Sequence, residues 1–216
     1  MSTPDTGRRS LLRAAGGFTA TAFAIASLAS LSACDKHVPG GPPIPKLKFN
    51  AVDITGADYA RQLALKDFDG KQRTLADFKG KVVFVFFGFT QCPDVCPTTM
   101  AELAEVRRRL GADGSKVQGV FVSVDPERDT PEVLKAYLGN LDASFVGLTG
   151  SLDQVDATAR EFKVFYQKVP TPGGSYTLDH TAGAYVFDPA GRVRLFVRYG
   201  LGVDALTSDL RQLLAS

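Results

Sequence analysis

Seven consecutive positions, Lys81-Val82-Val83-Phe84-Val85-Phe86-Phe87, limit what this chain can become. A strand with one wet face alternates apolar and polar side chains, whereas an unbroken apolar run suits a strand buried on both faces. Such a strand needs covering elements above and below it, so the run calls for a central sheet packed between helices. Residues 117–124 repeat the pattern. Between the two runs, Pro97 stands where a first helical residue would, and Met100, Leu103, Val106 and Leu110 follow at helical spacing. Gly111 and Gly114 stop that helix.

The rest of the globular part reads the same way. Residues 63–68 and 72–75 flank Asp69-Gly70 as a short hairpin. Thr130 caps a helix through Tyr137 with Pro131 in its first turn, residues 145–148 form a short strand, and Ser151 opens a helix to about Phe162. Strands at 184–187 and 192–199 flank the turn Asp188-Pro189-Ala190-Gly191, and residues 203–214 close with a helix. Strands alternating with helices, then a hairpin and helix, predict a mixed central sheet flanked by helices, in the order of a thioredoxin-like α/β fold. An N-terminal extension and an insertion around residues 163–177, before the last hairpin, are added to it. Right-handed crossovers are expected to place the first helices on opposite faces.

The chain divides at residues 33 and 46. Residues 1–33 read as a signal peptide: a basic start, an apolar Ala/Leu/Phe middle, then small residues. Gly7-Arg8-Arg9-Ser10-Leu11-Leu12-Arg13 is similar to a twin-arginine export motif, the alternative being a general secretory signal that contains Arg-Arg. Leu31-Ser32-Ala33-Cys34 resembles a bacterial lipobox, which implies a lipid on Cys34 and anchoring to the membrane, with the domain in the cell envelope on the periplasmic or extracytoplasmic side. Residues 34–46 are a Pro/Gly-rich tether, and its His37 is assigned no role. Residues 47–216 form the folded domain, in which no internal membrane span is expected. Beyond residue 33 remain 22 of the 25 basic and 22 of the 23 acidic residues, a net charge of zero. That balance gives no electrostatic footprint for nucleic acid.

Chemistry concentrates between the first buried strand and its helix, in Thr90-Gln91-Cys92-Pro93-Asp94-Val95-Cys96-Pro97. A disulfide across so short a loop contributes little by chain entropy, so the two thiols are more use as a redox pair or a metal site. A helix start beside Cys96 favours thiolate, and soft thiolates prefer Cu(I) or Zn(II). His180 precedes the strand beginning at Ala184, which in a thioredoxin-like sheet runs antiparallel to the strand ending at Phe87. Its beginning then lies beside the thiols, making His180 a candidate third ligand. Asp179 is either an orienter of the imidazole or a turn residue. Asp125-Pro126-Glu127-Arg128-Asp129 reads first as the turn from strand into helix, with Asp125 available to help a partner dock.

Three segments then carry a specific resemblance. Residues 87–97, Ser123-Val124-Asp125-Pro126-Glu127-Arg128-Asp129-Thr130-Pro131 and Asp179-His180-Thr181 are similar to the signature of the Sco/SenC family, over nearly all of residues 47–216. The resemblance implies binding of Cu(I) or Cu(II) by Cys92, Cys96 and His180. It also implies a part in maturing the dinuclear copper site of cytochrome c oxidase subunit II, as a metallochaperone rather than an enzyme, with that subunit or another copper-accepting protein as partner. One alternative is a thiol–disulfide oxidoreductase using Cys92 and Cys96 as a redox pair on cysteines of that target. The three-residue spacer, and Thr181-Ala182 where thioredoxins carry a Pro, count against plain thioredoxin. A peroxidase reading draws only on Thr90 lying two residues before Cys92.

Overall fold

The computed structural model describes residues 47–216; the export motif, Cys34, the tether and His37 lie outside the described residues. Every side chain of VVFVFFG in Val82–Gly88 is buried, as is every one in Val117–Ser123, which pairs parallel to it. In chain order the elements are β1 Val52–Asp53, β2 Ala64–Asp67, β3 Gln72–Thr74, β4 Val82–Gly88, α1 Val95–Arg109, β5 Val117–Ser123, α2 Pro131–Gly139 and β6 Val146–Thr149. They continue with α3 Leu152–Glu161, β7 Tyr166–Pro170, β8 Tyr176–His180, β9 Gly183–Phe187, β10 Val193–Arg198 and α4 Val203–Leu214. Among the described residues the main sheet has eight strands in the order β1-β10-β9-β4-β5-β6-β2-β3, and β7 and β8 form a separate pair. The centre is parallel, β4 to β5 to β6, and both flanks are antiparallel. The mixed sheet with flanking helices is the expected one.

Two expectations need correction. The crossovers β4→β5 and β5→β6 step in the same direction across the sheet, so right-handed connections put α1 and α2 on one face, not on opposite faces. Gly119 and Phe121 point to that shared face: a Cβ on Gly119 would meet Leu103 of α1, and the Phe121 ring lies 5.6 Å from Tyr137 of α2. The other face is filled by Phe87, Tyr185 and Phe187 around Phe162, which ends α3. The second correction concerns the start of α1, at Val95 rather than Pro97. Pro97 is the third helical residue, where a missing N–H is still harmless because the first four amides have no partner within the helix.

The segment read as an insertion is a hairpin of its own. β7 and β8 pair from Tyr166↔His180 to Pro170↔Tyr176, with Thr171-Pro172-Gly173-Gly174 turning between them. Gly173 and Gly174 have φ of 89° and 80°, values that L side chains rarely adopt. Thr181 N–H donates to the Phe165 carbonyl and Phe165 N–H to Thr181 Oγ1, closing the base of this arm, where the chain returns to the main sheet at Gly183. Among the described residues no helix is long and apolar enough to cross a membrane.

Candidate metal centre

β4 ends at Gly88, the chain turns, and α1 begins at Val95, so the Cys92 loop sits at the carboxyl end of the two central parallel strands. Cys92 Sγ accepts the Cys96 N–H at 3.4 Å, and the Asp94 carbonyl accepts Thr98 N–H. The first sulfur thus stands where a side-chain oxygen caps other helices. Cys96 is buried and Cys92 half-buried, and neither is in a disulfide. A Cβ at Gly88 would lie 2.9 Å from Cys96 Sγ, so glycine is what admits the second thiol at this point.

His180 closes β8 and arrives at the same corner, because β9 beyond it pairs antiparallel with β4 through Phe86↔Ala184. Its Nε2 is 3.4 Å from Cys96 Sγ, and the two sulfurs and one ring nitrogen all lie within 4.8 Å of one another. Nδ1 lies 3.1 Å from the Thr181 carbonyl. A carbonyl only accepts, so Nδ1 carries the proton and Nε2 turns its lone pair toward the sulfurs. The Phe86 and Phe89 rings stand edge-on to the imidazole, each with its centroid 5.9 Å away. Two soft sulfurs converging with a bare nitrogen make a set that fits a thiophilic ion.

The two thiols differ sharply. Cys92 is pulled down to about 5, first by the hydrogen bond from the Cys96 thiol, then by the Asp94 and Cys96 amides, against the opposing effect of burial. Cys96 is pushed far up, by donating to the Cys92 thiolate and by its burial. Cys92 therefore ionises first and Cys96 keeps its proton until something replaces it.

Several supports escaped the sequence reading. Asp129 is fully buried and accepts from Thr90 N–H, from Thr90 Oγ1 at 2.6 Å and from Ser123 Oγ at 2.7 Å. It fastens the segment before Cys92 to the end of β5. Thr90 spends its hydroxyl on Asp129, which removes the one feature behind the peroxidase reading. Asp125 is 2% exposed, bonded to Arg128 Nε and Tyr176 OH, so its side chain is not offered to a partner. The turn reading of 125–129 holds, since Arg128 N–H and Asp129 N–H both donate to the Asp125 carbonyl. Asp179 is exposed on the far side of β8, and the Thr181 carbonyl orients the imidazole in its place. Nothing local in the sequence marks the Asp129–Thr90 and Asp125–Tyr176 links, which join residues far apart in the chain.

The SCO1/SenC family model matches residues 52–215. "Protein SCO2, mitochondrial" of Saccharomyces cerevisiae is 40% identical over 131 residues, 59% of this chain and 44% of that one. The chain spans between 44% and 63% of the length of the first three curated relatives. Among solved structures, Bradyrhizobium japonicum ScoI with copper bound is 41% identical, with TM-score 0.65 over 71% of this chain and 98% of that chain. BsSco, a member of the Sco family of cytochrome c oxidase assembly proteins in which a disulfide switch was identified, is 26% identical. Its TM-score is 0.58, over 76% of this chain and 98% of that chain.

Proposed function

The chain belongs to the SCO1/SenC family, and from that premise we propose that it is a copper metallochaperone whose cargo is held by Cys92, Cys96 and His180. The convergence of two free sulfurs and an unprotonated Nε2 carries the reading. Copper is the cargo, exchanged between soft ligands of donor and acceptor. The chain's own residues do the rest. Cys92, ionised at neutral pH and half-exposed, is the first sulfur to engage incoming metal. Cys96 then gives up its proton to solvent as the metal replaces it, and the Thr181 carbonyl keeps the imidazole facing inward with Nε2 free to ligate. Release begins at Cys92, because the exposed ligand is the one an acceptor's thiolate can displace.

The acceptor in this reading is a protein with its own cysteine- or histidine-rich copper site, the dinuclear site of cytochrome c oxidase subunit II being the family's expected target. The lipobox at Leu31-Ser32-Ala33-Cys34 supports lipidation of Cys34, with residues 1–33 removed and 34–46 spacing the domain from a bacterial membrane. Changing Cys34→Ser moves the protein to the soluble fraction of cells if that holds, and leaves it with the membranes if it does not.

A second reading is favoured by the same asymmetry of the thiols. Cys92 thiolate attacks a target disulfide, one target sulfur leaves as thiolate, and Cys96 displaces the other while losing its proton. The balance is one target disulfide reduced and one Cys92–Cys96 disulfide formed. Titration of the reduced protein with Cu(I) against a competing chelator tests the metal reading. We expect one copper per chain and, for Cu(II) followed in parallel, at least a tenfold weaker hold in His180→Ala. Equal affinity in that variant removes His180 from the site, and undiminished reduction of a protein disulfide by it favours the redox reading.

A further inference from the structure

His180 reaches the sulfurs on an arm that the main sheet does not hydrogen-bond: β7 and β8 pair only with each other. The arm must be held in place by side chains, and most of the hold comes from one turn. Tyr176 OH donates to Asp125 Oδ1 at 2.8 Å and to Glu127 Oε2 at 3.2 Å. Lys168 pairs with Glu127, and on the other side Tyr166 OH bonds Asp156 of α3. Arg128 does something none of these does. Its guanidinium carbon lies over the Tyr176 ring, 3.7 Å from the centroid, and one nitrogen donates both to the Tyr176 carbonyl at 2.8 Å and to Gln91 Oε1 at 3.1 Å. Nε is fixed by Asp125. One planar group therefore touches the strand that ends in His180 and the residue that precedes Cys92.

We infer that Arg128 is a positioning residue that sets the distance between the thiol loop and the His180 arm, and so selects the oxidation state of the copper held. The inference rests on the copper reading above. Two thiolates alone satisfy Cu(I), which accepts low coordination, whereas Cu(II) needs further donors and favours imidazole. Loosening the arm withdraws the imidazole and leaves the sulfurs where α1 and Asp129 keep them. Affinity for Cu(II) then falls and affinity for Cu(I) stays. Lysine cannot substitute, because a single ammonium lacks the planar fork that reaches Asp125, Gln91 and the Tyr176 carbonyl together.

The test uses Arg128→Met, His180→Ala and the double variant, each reduced. Cu(I) is followed by chelator competition, and Cu(II) by the thiolate-to-copper charge-transfer absorption. Arg128→Met is expected to lower Cu(II) affinity at least tenfold and Cu(I) affinity less than threefold. It should add less than threefold to the Cu(II) loss of His180→Ala, since both act through one imidazole. Equal losses for the two oxidation states, full additivity with His180→Ala, or no change overturns the inference. If Arg128→Met does not yield folded protein, Arg128→Lys carries the same comparison. Hydrogen exchange of the metal-free protein separates this from failure of the copper reading. Amides of 176–180 should exchange at least tenfold faster in the Arg128 variant while those of β4 do not, and unchanged exchange at 176–180 overturns the role of Arg128 whatever metal binds.

Discussion

Two cysteines four positions apart share one loop and behave oppositely because the helix begins between them. Cys92 lies outside the first turn, where its sulfur collects amide protons and a thiol proton; Cys96 lies inside it, under the sheet, with a proton to give. Thiolate is the nucleophile, so this difference is readable with an alkylating reagent. A thiol lowered to about 5 is almost fully ionised at pH 7 and loses its charge as the pH drops through 5. Iodoacetamide should label Cys92 before Cys96, at a rate nearly flat from pH 8 to pH 6 and falling steeply below 5, as peptide mapping of partly labelled protein would reveal. An ordinary thiol, of pKa about 8.5, would instead slow about tenfold per unit throughout that range. Labelling at Cys96 first, or a rate that climbs steadily up to pH 8, would show that the loop does not polarise its sulfurs in this way.

The elements that position the site divide into those written in local pattern and those that are not. β4 and β5 were legible because burial on both faces leaves an unbroken apolar run, and α2 and α3 because Thr130 and Ser151 cap them, each accepting the amide three residues on. The meeting of His180 with the thiols was legible too, since antiparallel pairing of β9 with β4 fixes where β9 begins. The β7–β8 arm was not: Tyr-Gln-Lys-Val-Pro shows no alternation of buried and exposed positions, and its regularity comes from its partner strand and from Lys168 and Tyr166 reaching other elements. Two crossovers in one direction were misread because face depends on strand order, which periodicity does not encode. Asp129 was read only as part of a turn, yet it joins the β4–α1 loop to β5. Asp129→Ala leaves Thr90 N–H and Ser123 Oγ without their acceptor, and we expect a loss of about 3 kcal/mol in urea unfolding together with weaker copper binding. A loss under about 1 kcal/mol would mean that water replaces the carboxylate and the loop holds its own shape.

For the whole molecule, what metal does to stability depends on which ligands the unfolded chain retains. Binding stabilises the native state only to the extent that the unfolded state binds less well. Cys92 and Cys96 remain neighbours in an unfolded chain and still chelate, so the sulfur pair alone contributes little to the difference. His180 is 84 residues from Cys96 and joins them only when β8 and β9 are in place. The stabilising share of the metal is therefore carried by the imidazole. A native site holding metal a thousandfold more tightly than the unfolded chain, at saturating metal, gains about 4 kcal/mol. For a domain of this size that is on the order of 10 °C in Tm. Cu(II), whose hold depends on the imidazole, should thus raise the melting temperature of the reduced wild-type protein by several degrees and that of His180→Ala by a small fraction of it. Oxidation to a Cys92–Cys96 disulfide should abolish both shifts, because a bonded sulfur no longer ligates. Thermal melts followed by circular dichroism, with and without copper, decide the matter: if His180→Ala gains as much as wild type, the metal is held by the sulfurs alone and the arm that carries His180 has no part in the bound state.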